Sequence, residues 1–287
     1  MDFNIAIVGL GLMGGSMALA LRGFREGRIM GFARREETVA SALSREMIDE
    51  GYVLDDRHAR AALSRADLAI VCLFPEAARD FLGRFGDCFK RGAVVTDVTG
   101  VKEGMAHWAR EALPEGVDFV GGHPMAGREL SGLDAALPTL FRGCNYILIP
   151  SPWNSCPSID LLREMALFVG AGRVILTDAA HHDRMIAYTS QMAHVLAGAI
   201  AQMPWMLESK GYEGGSFRDL TRVATLNPDM WSELFVQNKK ELTEVLDALL
   251  GNLTRMRDEI AGGERAALKE ELSRATRRKE EWLSCKA

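Results

Sequence analysis

Apolar positions in the first 180 residues gather into short runs rather than long stripes. Residues 5–8, 29–32, 68–73, 93–97, 119–120, 146–149 and 173–176 each predict a strand, and the continuous apolar character of most of them suits strands buried on both faces. Amphipathic stretches between several of them, such as 37–50 and 75–85, predict helices. Strands alternating with helices imply an α/β fold, with a doubly wound, Rossmann-type, mainly parallel sheet covered on both faces and right-handed crossovers.

After Asp178 the pattern changes. Residues 179–210 hold many helix formers and no strand signal, interrupted at Pro204, and a glycine-rich hinge at 211–215 precedes a second helical block from Asn227-Pro228 to about Gly251. Helix-prone, charge-rich sequence then runs to Trp282, with acidic and basic residues alternating over 264–281 as on a solvated helix face. The expected division is a sheet domain at 1–177 and an all-helical domain at 178–287. Residues 185–206 carry apolar and small side chains around most of a helix circumference. A modest domain cannot bury these alone, so a homodimer is expected.

Composition narrows the classes. At 287 residues, 48% hydrophobic and 25% charged, the chain has ample material for a core and fits roughly two domains. A formal charge of −5 leaves no basic surplus to hold a nucleic-acid backbone. The five cysteines, Cys72, Cys88, Cys144, Cys156 and Cys285, are scattered without a C-x-x-C pair. They read as reduced thiols of a cytoplasmic protein rather than a disulfide framework or zinc site. The uncharged run 5–21 lacks a basic leader and contains four glycines, so it reads as strand, turn and helix start, not as a signal or membrane segment. No H-E-x-x-H or similar ligand set occurs, so no metal site is expected, and His107 and His181 read as helix-packing or solvent-facing residues.

Within that run, Gly9-Leu10-Gly11-Leu12-Met13-Gly14 matches G-x-G-x-x-G between a strand and a helix, the context in which the motif binds a dinucleotide. Gly9 permits the tight turn, Gly11 lets backbone approach a pyrophosphate, and Gly14 lets helix and strand pack closely. Leu12 and Met13 complete the turn at a helix N-terminus, where N–H groups and the dipole favour an anion. The sheet domain is therefore expected to be the dinucleotide-binding one. At the end of the second strand, where NAD enzymes place an acid for the ribose hydroxyls, the chain reads Ala33-Arg34-Arg35. Guanidinium groups suit a 2′-phosphate, which favours NADP over NAD. The alternative leaves both arginines in solvent, with Glu36 or Glu37 reaching the ribose.

The segment Gly121-Gly122-His123-Pro124-Met125-Ala126-Gly127 falls at the expected end of a strand, where ligands of a doubly wound sheet bind. A histidine there is suited to take a hydroxyl proton near neutral pH. His182-Asp183-Arg184, Ser190-Gln191-Met192-Ala193-His194 and Phe217-Arg218-Asp219-Leu220-Thr221-Arg222 follow. Together with Asp97-Val98-Thr99-Gly100-Val101-Lys102, Trp231 and Asn238-Lys239, these segments closely resemble the prephenate dehydrogenase family of tyrosine biosynthesis, which includes arogenate and cyclohexadienyl dehydrogenases. The resemblance covers about residues 4–250.

The resemblance implies an oxidative decarboxylation of a small-molecule substrate. His123 takes the proton of the ring hydroxyl of prephenate, hydride passes from C4 to the nicotinamide, and carbon dioxide leaves to give 4-hydroxyphenylpyruvate. It further implies that Arg222 binds a substrate carboxylate and that His194 lines the pocket near the side chain, beside Ser190, Gln191 and Trp231. Glu129 and Asp219 match positions of gating and pocket ionic contacts, and Asp97 is grouped with the cofactor-binding residues. Because prephenate is a dianion, Arg222 is expected as a buried charged fork. Two segments depart from the common family form. Gly100 stands where many members have a serine that hydrogen-bonds both the catalytic histidine and the substrate hydroxyl; Thr99, one residue earlier, is the candidate replacement. Gln191-Met192-Ala193 stands where many have His-Leu-Pro, which leaves arogenate as the alternative substrate. A non-catalytic NADP-binding sensor is the remaining reading. No stretch after the helical block is read as the regulatory module that some members append, so any feedback by tyrosine is expected at the active site.

Overall fold

In the computed structural model, which describes residues 3–55, 57–128 and 130–285, β1 (Asn4–Val8) runs directly into the glycine turn. β1 pairs in parallel with β2 (Arg28–Ala33) on one side and with β4 (Leu68–Val71) on the other. β3 (Glu50–Val53) extends the sheet beyond β2, and β5 (Val94–Asp97) and β6 (Asp118–Phe119) extend it beyond β4, all in parallel. The order 3-2-1-4-5-6 is the doubly wound arrangement, which reverses direction between β1 and β4 and leaves a crevice at the strands' carboxyl ends. Alternate side chains feed two cores. Ile5, Ile7 and Ile70 face one layer with Met17 and Leu21, while Ala6, Val8 and Val71 face another with Phe81 and Phe85.

Two strands carry no apolar signature. Glu50-Gly51-Tyr52-Val53 mixes polarities because β3 is an edge strand whose residues are only half-buried. β7 (Gly121–Pro124) reads Gly-Gly-His-Pro and pairs antiparallel with β8 (Asn145–Ile149), itself parallel to β9 (Arg173–Leu176). The runs at 146–149 and 173–176 therefore belong to a separate three-stranded sheet, not to the main one, and His123 lies in β7 at its edge. Glycine is required at 122, where a Cβ would lie 2.8 Å from both the Asp97 carbonyl oxygen and Thr96 Oγ1.

The helices that follow begin with Ala179–Ile186, a π-helical turn over Ala187–Gln191, and Met192–Ala201. The helix ends before Pro204, and turns occupy 202–212 where helix was expected to 210. Gly215–Thr221, a 3₁₀ turn at Arg222–Ala224 and Pro228–Gln237 come next, the last capped by the Asn227 side chain on the Met230 amide at 3.1 Å with proline at its first position. By compactness these belong with the sheets in one unit, Met1–Asn238. The other unit, Lys239–Ala287, holds the helices Lys239–Gly262 and Arg265–Ser284, which turn back on each other at Gly263 (φ 70°) and share the Arg255–Glu271 ion pair at 2.8 Å. No helix among the described residues is long and apolar enough to cross a membrane.

Candidate active site

The glycine turn follows from three different spatial demands. Gly9 has φ 98°, donates its N–H to the Phe32 carbonyl at 2.8 Å, and would place a Cβ 2.5 Å from the Cys72 carbonyl oxygen. At Gly14 a Cβ would fall 1.8 Å from the Gly9 carbonyl oxygen, so helix Leu12–Ala20 sits against the turn only because no side chain intervenes. Gly11 is different, with nothing within 4 Å of its would-be Cβ. It opens onto free space at the N-terminus of a helix that has no side-chain cap and no acidic residue in its first turn. That opening, with helix N–H groups beside it, fits the pyrophosphate of a dinucleotide. At the end of β2, Ala33 is buried while Arg34 and Arg35 are exposed.

Asp97 closes β5 in line with Val71 and Val8, its register partners across β4 and β1. Two strand spacings put it about 10 Å from the start of the glycine turn. It is fully buried: Lys102 Nζ and Thr99 Oγ1 both donate to Oδ2, as does the Thr99 amide at 3.0 Å, while the Gly122 amide donates to Oδ1 at 3.1 Å. The Thr99 hydroxyl also meets the Val101 carbonyl at 3.0 Å. Lys102 is equally buried, and that burial pushes its ammonium down despite the opposing pull of Asp97.

The Gly122–Asp97 hydrogen bond sets β7 at this strand end, and with it His123. His123 is partly buried, with Nδ1 2.9 Å from His182 Nε2. His182, whose side chain is fully buried, places its own Nδ1 2.7 Å from Asp183 Oδ1. Asp183 accepts further hydrogen bonds from the Lys102 amide (2.9 and 3.2 Å) and the Glu103 amide (2.9 Å). It thereby caps the helix Glu103–Ala112 from a neighbouring helix, where the dipole favours a carboxylate. Burial first, then the positive Lys102 and then His182, hold His123 well below the usual histidine value of 6.5, so it is an unprotonated base at neutral pH.

Around it the π-turn re-registers the helix that bears Ser190, Gln191 and His194. The Ser190 carbonyl accepts from His194 Nδ1 at 2.9 Å, and the imidazole stacks on Trp231 with centroids 3.8 Å apart. The helix Met192–Ala201 also packs against Gly215–Thr221 and the Arg222–Ala224 turn, which brings Arg222 alongside the segment that carries His194.

Two family models match the chain. The nucleotide-binding domain of prephenate dehydrogenase covers residues 17–176, and its dimerization domain covers 178–274. The chain belongs to the prephenate dehydrogenase family. It is 31% identical over 264 residues to the cyclohexadienyl dehydrogenase of Zymomonas mobilis, covering 90% of this chain and 88% of that one. The crystal structure of prephenate dehydrogenase from Aquifex aeolicus with hydroxyphenyl propionate and NAD+ superposes with a TM-score of 0.87 at 28% identity, covering 98% of each chain. Synechocystis arogenate dehydrogenase gives 0.82 at 25% identity, covering 98% of this chain and all of that one.

In this member of the prephenate dehydrogenase family, several expected site residues are occupied structurally. Thr99 turns its hydroxyl toward Asp97 and Lys102, and Asp97 has both oxygens engaged. Gln191 is buried, donating to the Leu234 carbonyl at 3.1 Å and accepting from Asn238 Nδ2 at 2.7 Å. Arg222, expected to be buried, is exposed where it opens a short 3₁₀ turn, and Asp219 is exposed as well. Glu129 lies outside the described residues. Lys102, His182 and Asp183 carried no expected role, although each stands in a segment of the family pattern, because only the fold brings residues such as Glu103 and Asp183, 80 positions apart, together. A cleft lined by Asp67, Arg110, Glu115 and Trp153 lies at the amino ends of the main sheet and contains none of the site residues.

Proposed function

We propose that the protein is an NAD(P)-dependent prephenate dehydrogenase that converts prephenate to 4-hydroxyphenylpyruvate and carbon dioxide in tyrosine biosynthesis. The observation that carries this reading is the place of His123, a partly buried histidine that the Gly122–Asp97 hydrogen bond sets beside the carboxyl-end crevice of a dinucleotide-binding sheet. The Aquifex relative with NAD+ and hydroxyphenyl propionate supports it. Residues 1–177 then form the dinucleotide-binding domain and 178–287 the substrate and dimerisation domain, and the chain works as a homodimer.

Gly9, Gly11, Leu12, Met13 and Gly14 hold the pyrophosphate, and Ala33, Arg34 and Arg35 face the adenosine ribose. When bound, the dinucleotide supplies the hydride acceptor. His123 receives the proton of the substrate's ring hydroxyl. Aromatisation drives the step, so the chain's tasks are positioning and removal of that proton. His194, Ser190 and Trp231 wall the pocket, Arg222 binds a carboxylate and Asp219 neighbours it in the same segment. Asp97, Thr99 and Gln191 serve by fixing backbone, and Asp97 holds Lys102 rather than the cofactor.

Arogenate is the second reading, favoured by the similarity to cyclohexadienyl and arogenate dehydrogenases. A four-way assay with prephenate or arogenate, each with NAD or NADP, tests these readings. The expected result is release of 4-hydroxyphenylpyruvate from prephenate, and a His123→Asn variant should lose about 100-fold or more of kcat while binding cofactor normally. No turnover of either substrate would leave only the sensor reading. The same assay measures which dinucleotide the exposed arginine pair selects. Light scattering at micromolar concentration should give a dimer.

A further inference from the structure

The histidine base is not an isolated side chain. The Asp183 carboxylate accepts from the Lys102 and Glu103 amides and lies 2.7 Å from His182 Nδ1. A carboxylate that only accepts obliges His182 to carry its proton on Nδ1. His182 Nε2 is then a bare acceptor, and it lies 2.9 Å from His123 Nδ1. His123 must therefore carry its proton on Nδ1, which leaves Nε2 as its basic atom. Gly100 offers no hydroxyl to this histidine, and the Thr99 hydroxyl is turned to Asp97, so the contact to His182 takes the orienting place. The charged groups around the pair are Lys102 beside His123 and Asp183 behind His182, with Asp97 on the far side of Lys102.

We propose that Asp183 and His182 are positioning residues that fix His123 in its Nδ1–H tautomer and take over the proton it accepts. The proposal rests on the reading of His123 as the base. The substrate O–H bond breaks and an Nε2–H bond forms on His123. The Nδ1 proton of His123 then passes to His182 Nε2, which restores a neutral His123 and leaves an imidazolium beside the Asp183 carboxylate. No oxidant or further reactant enters, because only a proton moves. This transfer counters the burial and the Lys102 charge, both of which oppose a lasting positive charge on His123 itself.

The test uses the full chain labelled with ¹⁵N-histidine, with ring resonances assigned through His123→Asn. Wild type should show His123 protonated on Nδ1. Asp183→Asn keeps an oxygen for the backbone amides but presents N–H to His182, which reverses both rings, so His123 should become protonated on Nε2. Its kcat should fall about 100-fold or more with KM and cofactor affinity little changed, as expected for a wrong tautomer. His182→Gln supplies an acceptor oxygen that cannot take a proton, so it should keep the wild-type tautomer with a smaller loss, about 10-fold. Wild-type His123 protonated on Nε2 overturns the proposal, as does an Asp183→Asn variant that retains the Nδ1–H form. If Asp183→Asn does not fold, the wild-type and His182→Gln tautomers decide alone. The tautomer is read without substrate, so failure of the dehydrogenase reading, seen as no wild-type turnover, is distinguishable from failure of the relay.

Discussion

Exchanging the glycines of the turn one at a time separates packing from binding, because the structure assigns them different neighbours. In Gly14→Ala the new methyl sits 1.8 Å from a backbone oxygen, where real Cβ atoms keep at least 3.0 Å. The helix Leu12–Ala20 must move off β1 by about 1.2 Å, and overpacking against rigid backbone of this kind costs about 3 kcal/mol. At two to four degrees per kcal/mol for a domain of this size, Tm should drop by roughly 6–12 °C. Gly11→Ala meets nothing within 4 Å, and its φ of −101° and ψ of −155° suit alanine. Its only folding cost is the poorer N-cap, at most about 1 kcal/mol. The methyl instead projects into the opening that fits a pyrophosphate, and affinity should fall about tenfold or more. Thermal melts with and without dinucleotide read both effects. A ligand at a hundred times the wild-type Kd stabilises wild type by about 2.7 kcal/mol but a tenfold weaker variant by only about 1.4 kcal/mol. If Gly11→Ala loses as much Tm as Gly14→Ala, or binds dinucleotide as tightly as wild type, the division of labour among these glycines is wrong.

Lys102→Met strands the buried Asp97 carboxylate and should cost about 3–5 kcal/mol in denaturant unfolding; a loss within 1 kcal/mol would mean that the pair contributes little. The same variant removes a positive charge that depresses His123, so the acid limb of the rate profile should move to higher pH, and an unmoved limb counts against that coupling. In the wild type, the unfolded chain takes up the His123 proton near pH 6.5 while the folded chain resists it. This group's contribution to stability should therefore be lost as pH falls from about 6.5 through its depressed folded value, which urea titrations at stepped pH would check against His123→Asn. Asn238→Ala leaves the Asp183 carbonyl and Gln191 Oε1 without their amide donor and should cost about 1–3 kcal/mol, whereas a neutral result would mean that water replaces the amide.

The main sheet was legible because its central strands are buried on both faces, so β4 and all but the first residue of β1 read as apolar runs and β5 opens on one, whatever the helices do. β3 and β7 were not. β3 borders solvent, and β7 is held at its base by a side-chain carboxylate on the Gly122 amide, a determinant with no periodicity to betray it. The glycine turn announced itself because each glycine answers a local steric demand. Arg222 was misjudged on burial because the charge of an expected ligand says what residue type is needed, not how deep its turn lies. Helix length failed near Pro204 for a similar reason: propensity over 202–210 is overridden by turns that no single residue encodes.

The residues that hold His123 were visible only as letters in a motif, since their contacts are relational. Residues 97–102 reach His123 by two routes. Asp97 holds the β7 backbone through the Gly122 amide, and the Lys102 amide holds Asp183, which holds His182, which holds the imidazole. The Lys102 ammonium on Asp97 joins the routes, so one six-residue segment holds both the strand that carries His123 and the carboxylate behind His182. On the proposed relay, glycine can stand at position 100 because the orientation that a hydroxyl would supply would come instead from a buried chain of donors and acceptors anchored at a helix N-terminus. An acidic protein can likewise handle an anionic ligand. On the proposed function, the groups that would bind such a ligand are the N–H groups of the glycine turn and Arg222, and the base is a neutral histidine, none of which depends on the net charge.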